Sequence, residues 1–273
     1  MIPGRWYDLR MTNPDLKWWH VRWGLFGRGL KRAGLWMAIL LASGLTLIVV
    51  VSCVEGFIGP WLAMRNLSRE PSAWVVPKTL PDQSVAQLSG ARIEAYGYSI
   101  QTPWNDPAIS EGLQDSVTRV SFRKDNVAML LFNPADKWDP WAIIKSSPEA
   151  GPIVSKQALR SNYDLMNAEL TATPDQAKWW KMPRENTGLL MLVVAKTTHL
   201  YEWGNVWRVA GAGVRGFQLG DPAKPPYRVQ LHLYDDADRH IRIDIGALGG
   251  EGNPLTQAEV NAMVASIRPA GKK

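Results

Sequence analysis

The sequence feature that most constrains this chain is a predominantly apolar segment, residues 33–54, which contains no charged side chain. About 20 apolar residues in a helix suffice to cross the hydrocarbon core of a bilayer, where every backbone polar group must be hydrogen-bonded within the protein. We therefore predict that residues 33–54 form a single transmembrane helix. This prediction leaves a short segment before the membrane and most of the chain after it.

Charged residues around this segment predict its orientation. Arg28, Lys31 and Arg32 precede it closely, whereas Glu55 follows it directly. Because the flank richer in Lys and Arg stays in the cytoplasm, residues 1–32 are predicted to be cytoplasmic and the residues after the span extracytoplasmic. In a bacterium this describes a single-pass protein of the inner (cytoplasmic) membrane whose C-terminal domain lies in the periplasm.

The formal net charge of +6 is concentrated in the N-terminal segment, where anionic lipid head groups attract Lys and Arg. No Arg-rich stretch with interleaved aromatic residues follows the span, so nucleic acid is not an expected partner. The expected partners are the lipid bilayer and integral membrane protein subunits.

Two alternatives to an uncleaved span remain open. A cleaved signal peptide has a shorter apolar region of about 7–15 residues, and the long segment 1–32 before the span argues against one. Residues 50–53, Val-Val-Ser-Cys, loosely resemble the lipobox of bacterial lipoproteins, in which the Cys is lipidated. Cys53 is the single cysteine of the chain, so no intramolecular disulfide or paired-cysteine metal site is expected.

Amphipathic aromatic side chains flank the span on both sides, as is typical at membrane–water interfaces. Together with the basic residues they are predicted membrane or partner anchors: Trp18, Trp19, Trp23, Phe26, Arg28, Lys31, Arg32, Phe57 and Trp61. Anchoring of the span in lipid is the favoured interpretation, and docking onto another membrane subunit is the alternative.

The part of the chain after the span divides into a connector and a domain. Residues 65–90 are polar and contain Pro71, Pro77 and Pro81, each of which fixes its own φ and removes a backbone donor, so residues 55–90 are predicted to be an extended tether. Residues 91–269 have the size of a single domain and are predicted to form an extracytoplasmic α+β domain, with residues 270–273 as a tail.

Alternating apolar residues and turn residues predict the strands of this domain. The first group of strands is predicted at residues 92–102, 117–123 and 127–132, with a turn at 124–126. A three-stranded meander is predicted from residues 206–219, 227–234 and 240–245, with a polar turn at 235–238.

In the last predicted hairpin one face is apolar and the other polar. Its register places Arg242 opposite His232 and Asp244 opposite Gln230. The polar face is predicted to be solvated, and a partner-binding surface is the alternative.

Helices are predicted from apolar periodicity and capping residues. Residues 152–170 are predicted to form a helix that Pro174 stops, and residues 175–180 a short second one. Residues 188–200 fit either a buried strand or a buried helix, of which the helix is favoured. Residues 255–267 are predicted to be a helix capped by Thr256, with Glu259 three residues later.

Two short motifs resemble a known family. Residues 96–104 (YGYSIQTPW) resemble the opening of PsbP/Mog1/DcrB-like domains, and residues 263–267 (MVASI) are similar to their closing helix. The resemblance covers about residues 91–269 and implies a mainly antiparallel central sheet flanked by helices. Members of this family are commonly extracytoplasmic or extrinsic accessory proteins without known catalysis, and no set of functional residues transfers to this chain.

Gly211, Gly213 and Gly216 match the spacing of a dinucleotide-binding loop. That function requires a helix to begin at these glycines, because the pyrophosphate binds at the helix N-terminus. The following residues include Pro222, Pro225 and Pro226, which are incompatible with such a helix. A bulged or twisted strand is predicted instead, and no cofactor is expected.

Three histidines follow the span: His199, His232 and His240. No HxH or HExxH spacing joins them, so no metal site is predicted. An acid–base site of His232, His240 and Asp244 is conceivable, but ordinary surface histidines are the favoured interpretation. No catalytic residue is therefore assigned.

The chain contains 14 Trp residues, a residue type enriched at protein interfaces. The following residues form a possible partner surface: Trp138, Trp141, Trp179, Trp180, His232, His240 and Arg242.

These features favour a non-catalytic accessory subunit that docks onto a larger membrane complex of respiratory, photosynthetic or transport type. A tethered binding module for a lipid, peptide or small solute is the first alternative, and an enzyme is the less favoured second. Exposed apolar patches beside the span would favour the accessory subunit, an apolar pocket lined by Met and Trp the binding module, and converging histidines and carboxylates the enzyme.

Overall fold

The computed structural model describes Ser43 and residues 58–111, 117–132, 159–178, 180, 183–248 and 255–269. The chain divides into two compact units, Met1–Gly56 and Phe57–Lys273. The predicted span, apart from Ser43, lies outside the described residues. So do several predicted anchor and partner residues: Trp18, Trp19, Trp23, Phe26, Arg28, Lys31, Arg32, Phe57, Trp138, Trp141 and Trp179. No helix within the described residues is long and apolar enough to cross a membrane.

A large sheet of eight strands organises the second unit. In chain order its strands are β1 (Lys78–Thr79), β4 (Ala108–Glu111), β5 (Val117–Phe122), β6 (Val127–Phe132), β7 (Val206–Ala210), β8 (Val214–Leu219), β9 (Val229–Asp235) and β10 (His240–Ala247). They lie side by side in the order β1-β7-β8-β9-β10-β6-β5-β4. Among the described strand pairs of this sheet, β1–β7 is parallel and the others are antiparallel, so the predicted mainly antiparallel sheet is confirmed.

A second sheet of three strands is formed by β2 (Arg92–Ala95), β3 (Tyr98–Gln101) and β11 (Arg268–Pro269), with β3 in the middle. Residues 92–102 were predicted to be one strand, and this prediction is wrong. Tyr96 and Gly97 both have positive φ, 51° and 78°, and turn the chain back on itself. The segment is therefore a hairpin.

In the part of the chain that the structure describes, four α-helices flank the sheets: α1 (Gly59–Leu67), α2 (Asn162–Thr171), α3 (Pro183–His199) and α4 (Gln257–Ser266). The favoured helix at 188–200 is confirmed, although it begins earlier, at Pro183. The helix α4 has the predicted capping box between Thr256 and Glu259. Residues 175–180 were predicted to be helical, but the helical turn there is a single 3-10 turn, Pro174–Gln176.

Much of the predicted tether is folded. Besides α1 and β1, residues 55–90 contain a 3-10 turn, Pro71–Trp74. Met64 of α1 and Ala73 of this turn are 1% and 0% exposed. Of the prolines predicted to keep the chain extended, Pro71 instead begins the 3-10 turn, because the N–H at the first helical position has no intrahelical partner and proline lacks that N–H.

The predicted meander has four strands rather than three. Residues 206–219 form the hairpin β7–β8, because Gly211 N–H donates to the Val214 carbonyl at 2.7 Å and reverses the chain. The predicted bulged strand at these glycines is therefore wrong. No helix starts there, since β8 follows directly.

Both faces of the β7–β10 meander are covered. On one face, α4 and the small sheet complete the main apolar core, which includes Val260 and Met263 of α4. On the other face, Met166 and Leu170 of α2 pack with Phe217 of β8. The polar hairpin face, predicted to be solvated, lies on this second side and is largely buried.

Candidate functional site

Strand register gathers polar side chains under α2 and α3. In β9 and β10, His232 pairs with Arg242 and Gln230 with Asp244, as predicted. These side chains point to the same face as α2 and the end of α3, because alternate residues of a strand share a face. We call the resulting cluster the histidine network; its members are Glu169, His199, Gln230, His232, His240, Arg242 and Asp244.

One continuous hydrogen-bonded chain runs through the sheet side of this network. Arg242 donates to both oxygens of Asp244, at 3.1 and 2.8 Å. Gln230 Nε2 donates to Asp244 Oδ1 at 2.9 Å. His232 Nε2 lies 2.8 Å from Gln230 Oε1, and its Nδ1 lies 3.0 Å from His240 Nε2.

The chemistry of these groups sets the proton positions. A carboxylate only accepts hydrogen bonds, so Asp244 orients the Gln230 amide and turns Oε1 toward His232. His232 Nε2 therefore carries a hydrogen. With His232 neutral, its Nδ1 accepts, and His240 Nε2 must donate.

His232 is held in the neutral state by its surroundings. It is 2% exposed. Burial, followed by the nearby His240, His199 and Arg242, places the pKa of His232 well below its usual value. Ordinary surface histidines were the favoured interpretation of this residue, and for His232 that interpretation is wrong.

The helix side of the network is a carboxylate–imidazole pair. Glu169 Oε1 of α2 lies 2.8 Å from His199 Nδ1 at the end of α3. The Glu169 side chain is 0% exposed and that of His199 30%. In the described part of the chain, Glu169 Oε2 has no hydrogen-bond partner. Burial raises the pKa of Glu169, while the bond to His199 opposes this.

Lys196 lies one helical turn before His199 and is also buried. Its Nζ donates to the carbonyl of Ala172 and, at 3.1 Å, to that of Val75. Burial lowers the pKa of Lys196 to about 8, although Glu169 raises it somewhat. The lysine thus ties α3 to the end of α2 and to the segment before β1.

Aromatic rings connect the network to the start of α2. Tyr234 stacks on His240 with ring centroids 4.8 Å apart, and Tyr163 meets Tyr234 edge-on at 5.9 Å. Asp238, in the β9–β10 turn, accepts the backbone N–H groups of Asn162 at 2.5 Å and Tyr163 at 3.1 Å. The first turn of α2 is therefore fixed to the sheet.

A second feature is the outer surface of α1 and α3. Met64 of α1 and Leu192 and Val193 of α3 form a shared core. On the surface, Leu62 of α1 is 47% exposed and Val194 of α3 45%. We call Ile58, Leu62 and Val194 the α1–α3 face; Ile58, just before α1, is 37% exposed.

A pocket of about 230 Å³ lies beside β1. Its lining includes Trp74, Lys78 and Asn205, with no methionine. It therefore has the Trp but not the Met of the lining that would favour a binding module.

The structure brings some predicted site residues together and separates others. His232, His240 and Arg242 belong to one network, whereas Asp244 reaches His232 only through Gln230. Trp180 is 65% exposed, and Trp61 packs partly buried against the core shared by α1 and α3. No group of three or more His, Cys, Asp or Glu side chains in the described ranges could hold a metal ion.

Sequence reasoning missed Glu169 and Lys196. Neither residue belongs to a motif, and Glu169 lies thirty positions from His199. The available signal was a charged residue at an apolar-facing position of a predicted helix, which is rare unless the charge is paired.

The fold and its polar network define an α+β domain built on an antiparallel sheet, with a meander covered on both faces. Comparison with known proteins adds no relative, since no family model, curated protein or solved structure matches the chain.

Proposed function

We propose that this protein is a non-catalytic, membrane-anchored accessory subunit that docks onto an integral membrane protein through the α1–α3 face. The observation that carries the proposal is the exposure of Leu62 and Val194 on neighbouring helices. No charged residue lies between Glu185 and Lys196 in α3, although a helix face in contact with water normally carries charges. A contiguous apolar patch marks an interaction site, and in this proposal Ile58, Leu62 and Val194 form such a patch.

Chain continuity supports a partner at the membrane surface. The predicted span ends at residue 54, four residues before Ile58. In this proposal, the domain is periplasmic and the α1–α3 face binds the extracytoplasmic surface of a membrane-embedded protein.

The resemblance of residues 96–104 and 263–267 to PsbP/Mog1/DcrB-like domains agrees with an accessory role. Membership of that family stays a prediction. An antiparallel sheet flanked by helices is the architecture that the resemblance implies.

Native electrophoresis of membranes solubilised in mild detergent tests the proposal. We expect the chain to comigrate stoichiometrically with one integral membrane complex, and we expect Leu62→Glu or Val194→Glu to abolish comigration. Val85→Glu and Ile109→Glu are matched controls, because these side chains are also exposed, 62% and 55%, but lie outside the α1–α3 face. Migration as a lone monomer or homodimer would contradict the proposal.

A photo-crosslinking residue at position 194 identifies what covers the face. Crosslinks to one integral membrane protein support docking. Crosslinks only to lipid would show that the face lies on the bilayer, and the accessory-subunit proposal would then fail.

A second candidate, an acid–base site, is favoured by the Glu169–His199 pair. A buried carboxylate orients the imidazole through Nδ1 and leaves Nε2 of the partly exposed ring for an external group, which is how a general base is held. Acylation of His199 by diethyl pyrocarbonate, followed by mass spectrometry, measures its reactivity. A poised base requires fast modification that Glu169→Gln slows; equal rates in both chains would remove this candidate.

A further inference from the structure

The C-terminal end of α3 closes over a buried histidine. The His199 ring meets the His232 ring edge-on at 5.6 Å, and the His240 ring stacks on His232 at 5.2 Å. His232 is therefore enclosed between α3 on one side and the neighbouring strand on the other. With the ring 2% exposed, water has little access to it while these contacts hold.

The contact between His232 and His240 holds a single hydrogen. Their facing nitrogens are 3.0 Å apart, and one of them must accept. If both rings are protonated, two N–H groups point at each other. Full protonation is therefore incompatible with this arrangement.

Among the described residues, the groups hydrogen-bonded to His232 are Gln230 and His240, and neither is a carboxylate. The ionisable groups that face it are His199 from α3, and His240 and Arg242 from β10. The two carboxylates of the network are directed at other cations: Asp244 binds Arg242, and Glu169 of α2 binds His199 through Oε1. Each positive charge added at His199 or His240 thus adds repulsion at His232.

We propose that acidification releases the C-terminal end of α3 from the sheet and so weakens docking through the α1–α3 face, a regulation that rests on the proposed docking function. Hydration of a protonated His232 requires the ring to leave its enclosure, and the edge-on contact with His199 is the part that α3 contributes. The burial that lowers the pKa of His232 places this transition on the acidic side of neutrality.

The helix α3 links the network to the docking face. His199 is its last residue, and Val194 lies five positions earlier on its outer surface. Leu192 and Val193 pack in the core shared with Met64 of α1. Displacement of α3 therefore moves Val194 relative to α1 and divides the α1–α3 face.

Hydrogen exchange measured by mass spectrometry on the full chain in a bilayer disc tests the release directly. Deuterium uptake at pH 7.5 is compared with uptake at pH 5.5, and the labelling times are scaled to correct for the different intrinsic exchange rates. We expect the protection of amides in the last two turns of α3 to fall at least about tenfold at pH 5.5. This is the effect of one titrating group at one pH unit below the pKa of an ordinary histidine. Amides of α4, on the opposite face of the sheet, should change less.

Two variants separate protonation from loss of structure. His232→Gln cannot take up the proton and should keep α3 protected at pH 5.5. His240→Gln offers an amide oxygen to a protonated His232, so it should also suppress the loss while retaining the buried imidazole. His20→Gln, in the predicted cytoplasmic segment, is the matched control and should behave like the unchanged chain.

Comigration at the two pH values decides the regulatory part. The proposal predicts a complex at pH 7.5, its loss at pH 5.5, and its retention at pH 5.5 with His232→Gln. A complex that persists at pH 5.5 while α3 opens would overturn the regulation and leave docking intact. Absence of a complex at both pH values would refute docking, and exchange data without acid-dependent opening would refute the release itself.

Discussion

Lys196 is a buried lysine held by two backbone carbonyls rather than by a carboxylate. Its pKa of about 8 in the folded chain, against 10.5 for an unperturbed lysine, means that the unfolded chain binds more protons between these values. The free energy of unfolding therefore rises with pH in this window, by up to about 2 kcal/mol between pH 8 and 9.5. Below about pH 7 the lysine is protonated in both states and gives no slope.

Chemical denaturation of the chain and of Lys196→Met at pH 8.0 and 9.5 checks this prediction. Other groups titrate in the same range, so the difference between the two slopes isolates Lys196. The variant should lack the rise. Equal slopes would show that the lysine is not buried as the structure has it.

Gly216 lies where β8 and β9 approach each other closely. A Cβ at this position would be 1.9 Å from the carbonyl oxygen of His232, which is backbone and cannot yield. We expect Gly216→Ala to lower the free energy of unfolding by at least about 3 kcal/mol, the upper end of overpacking effects. Gly204→Ala is the control, since nothing lies within 4 Å of its Cβ; a similar loss there would refute the steric explanation.

At the scale of elements, α4 offers a prediction that follows from sequence and structure alike. Thr256 accepts the N–H of Glu259, and Glu259 accepts the N–H of Thr256 at 2.7 Å. Thr256→Ala should cost about 1 kcal/mol of stability. Glu259→Ala should cost a similar amount, and the double variant less than the sum, because both remove one reciprocal pair. Thermal unfolding of the three variants measures this, and strictly additive losses would contradict it.

The elements that could be predicted from sequence are those with local signals. Thr256 and Glu259 predict the start of α4. Asn126, with a φ of 55°, ends the turn between β5 and β6. The hairpins at Tyr96 and Gly211 could not be predicted, because apolar alternation continues across both turns and only glycine hints at a reversal. A turn that does not interrupt the apolar alternation can be recognised only from the pairing of the two strands beside it.

The candidate site was partly predictable for a similar reason. Alternation within β9 and β10 gives the register of His232 with Arg242 and puts both on one face. The burial of this face depends on α2 and α3, which come from distant parts of the sequence. Glu169 and His199 meet only when those two helices pack on the sheet, so their pairing has no sequence signature.

At the scale of the whole molecule, the two sides of the meander have different chemistry. The side facing α4 is an apolar core, which contributes stability through burial. The side facing α2 and α3 buries a network with one orphaned carboxylate oxygen, and buried polar groups without a partner cost stability. The packing of α2 and α3 on the sheet is therefore weaker than the packing of α4. The proposed docking face lies on this weaker side.

The docking proposal also depends on the topology of the whole chain, which reporter fusions can measure. Alkaline phosphatase fused after residue 273 should be active, because its disulfides form only in the oxidising periplasm, and a fusion after residue 32 should be inactive. A green fluorescent protein fused at the same positions should show the reverse. Deletion of residues 33–54 should abolish phosphatase activity at the C-terminal position. A fluorescent C-terminal fusion would instead place the α1–α3 face in the cytoplasm, where a periplasmic partner surface could not reach it.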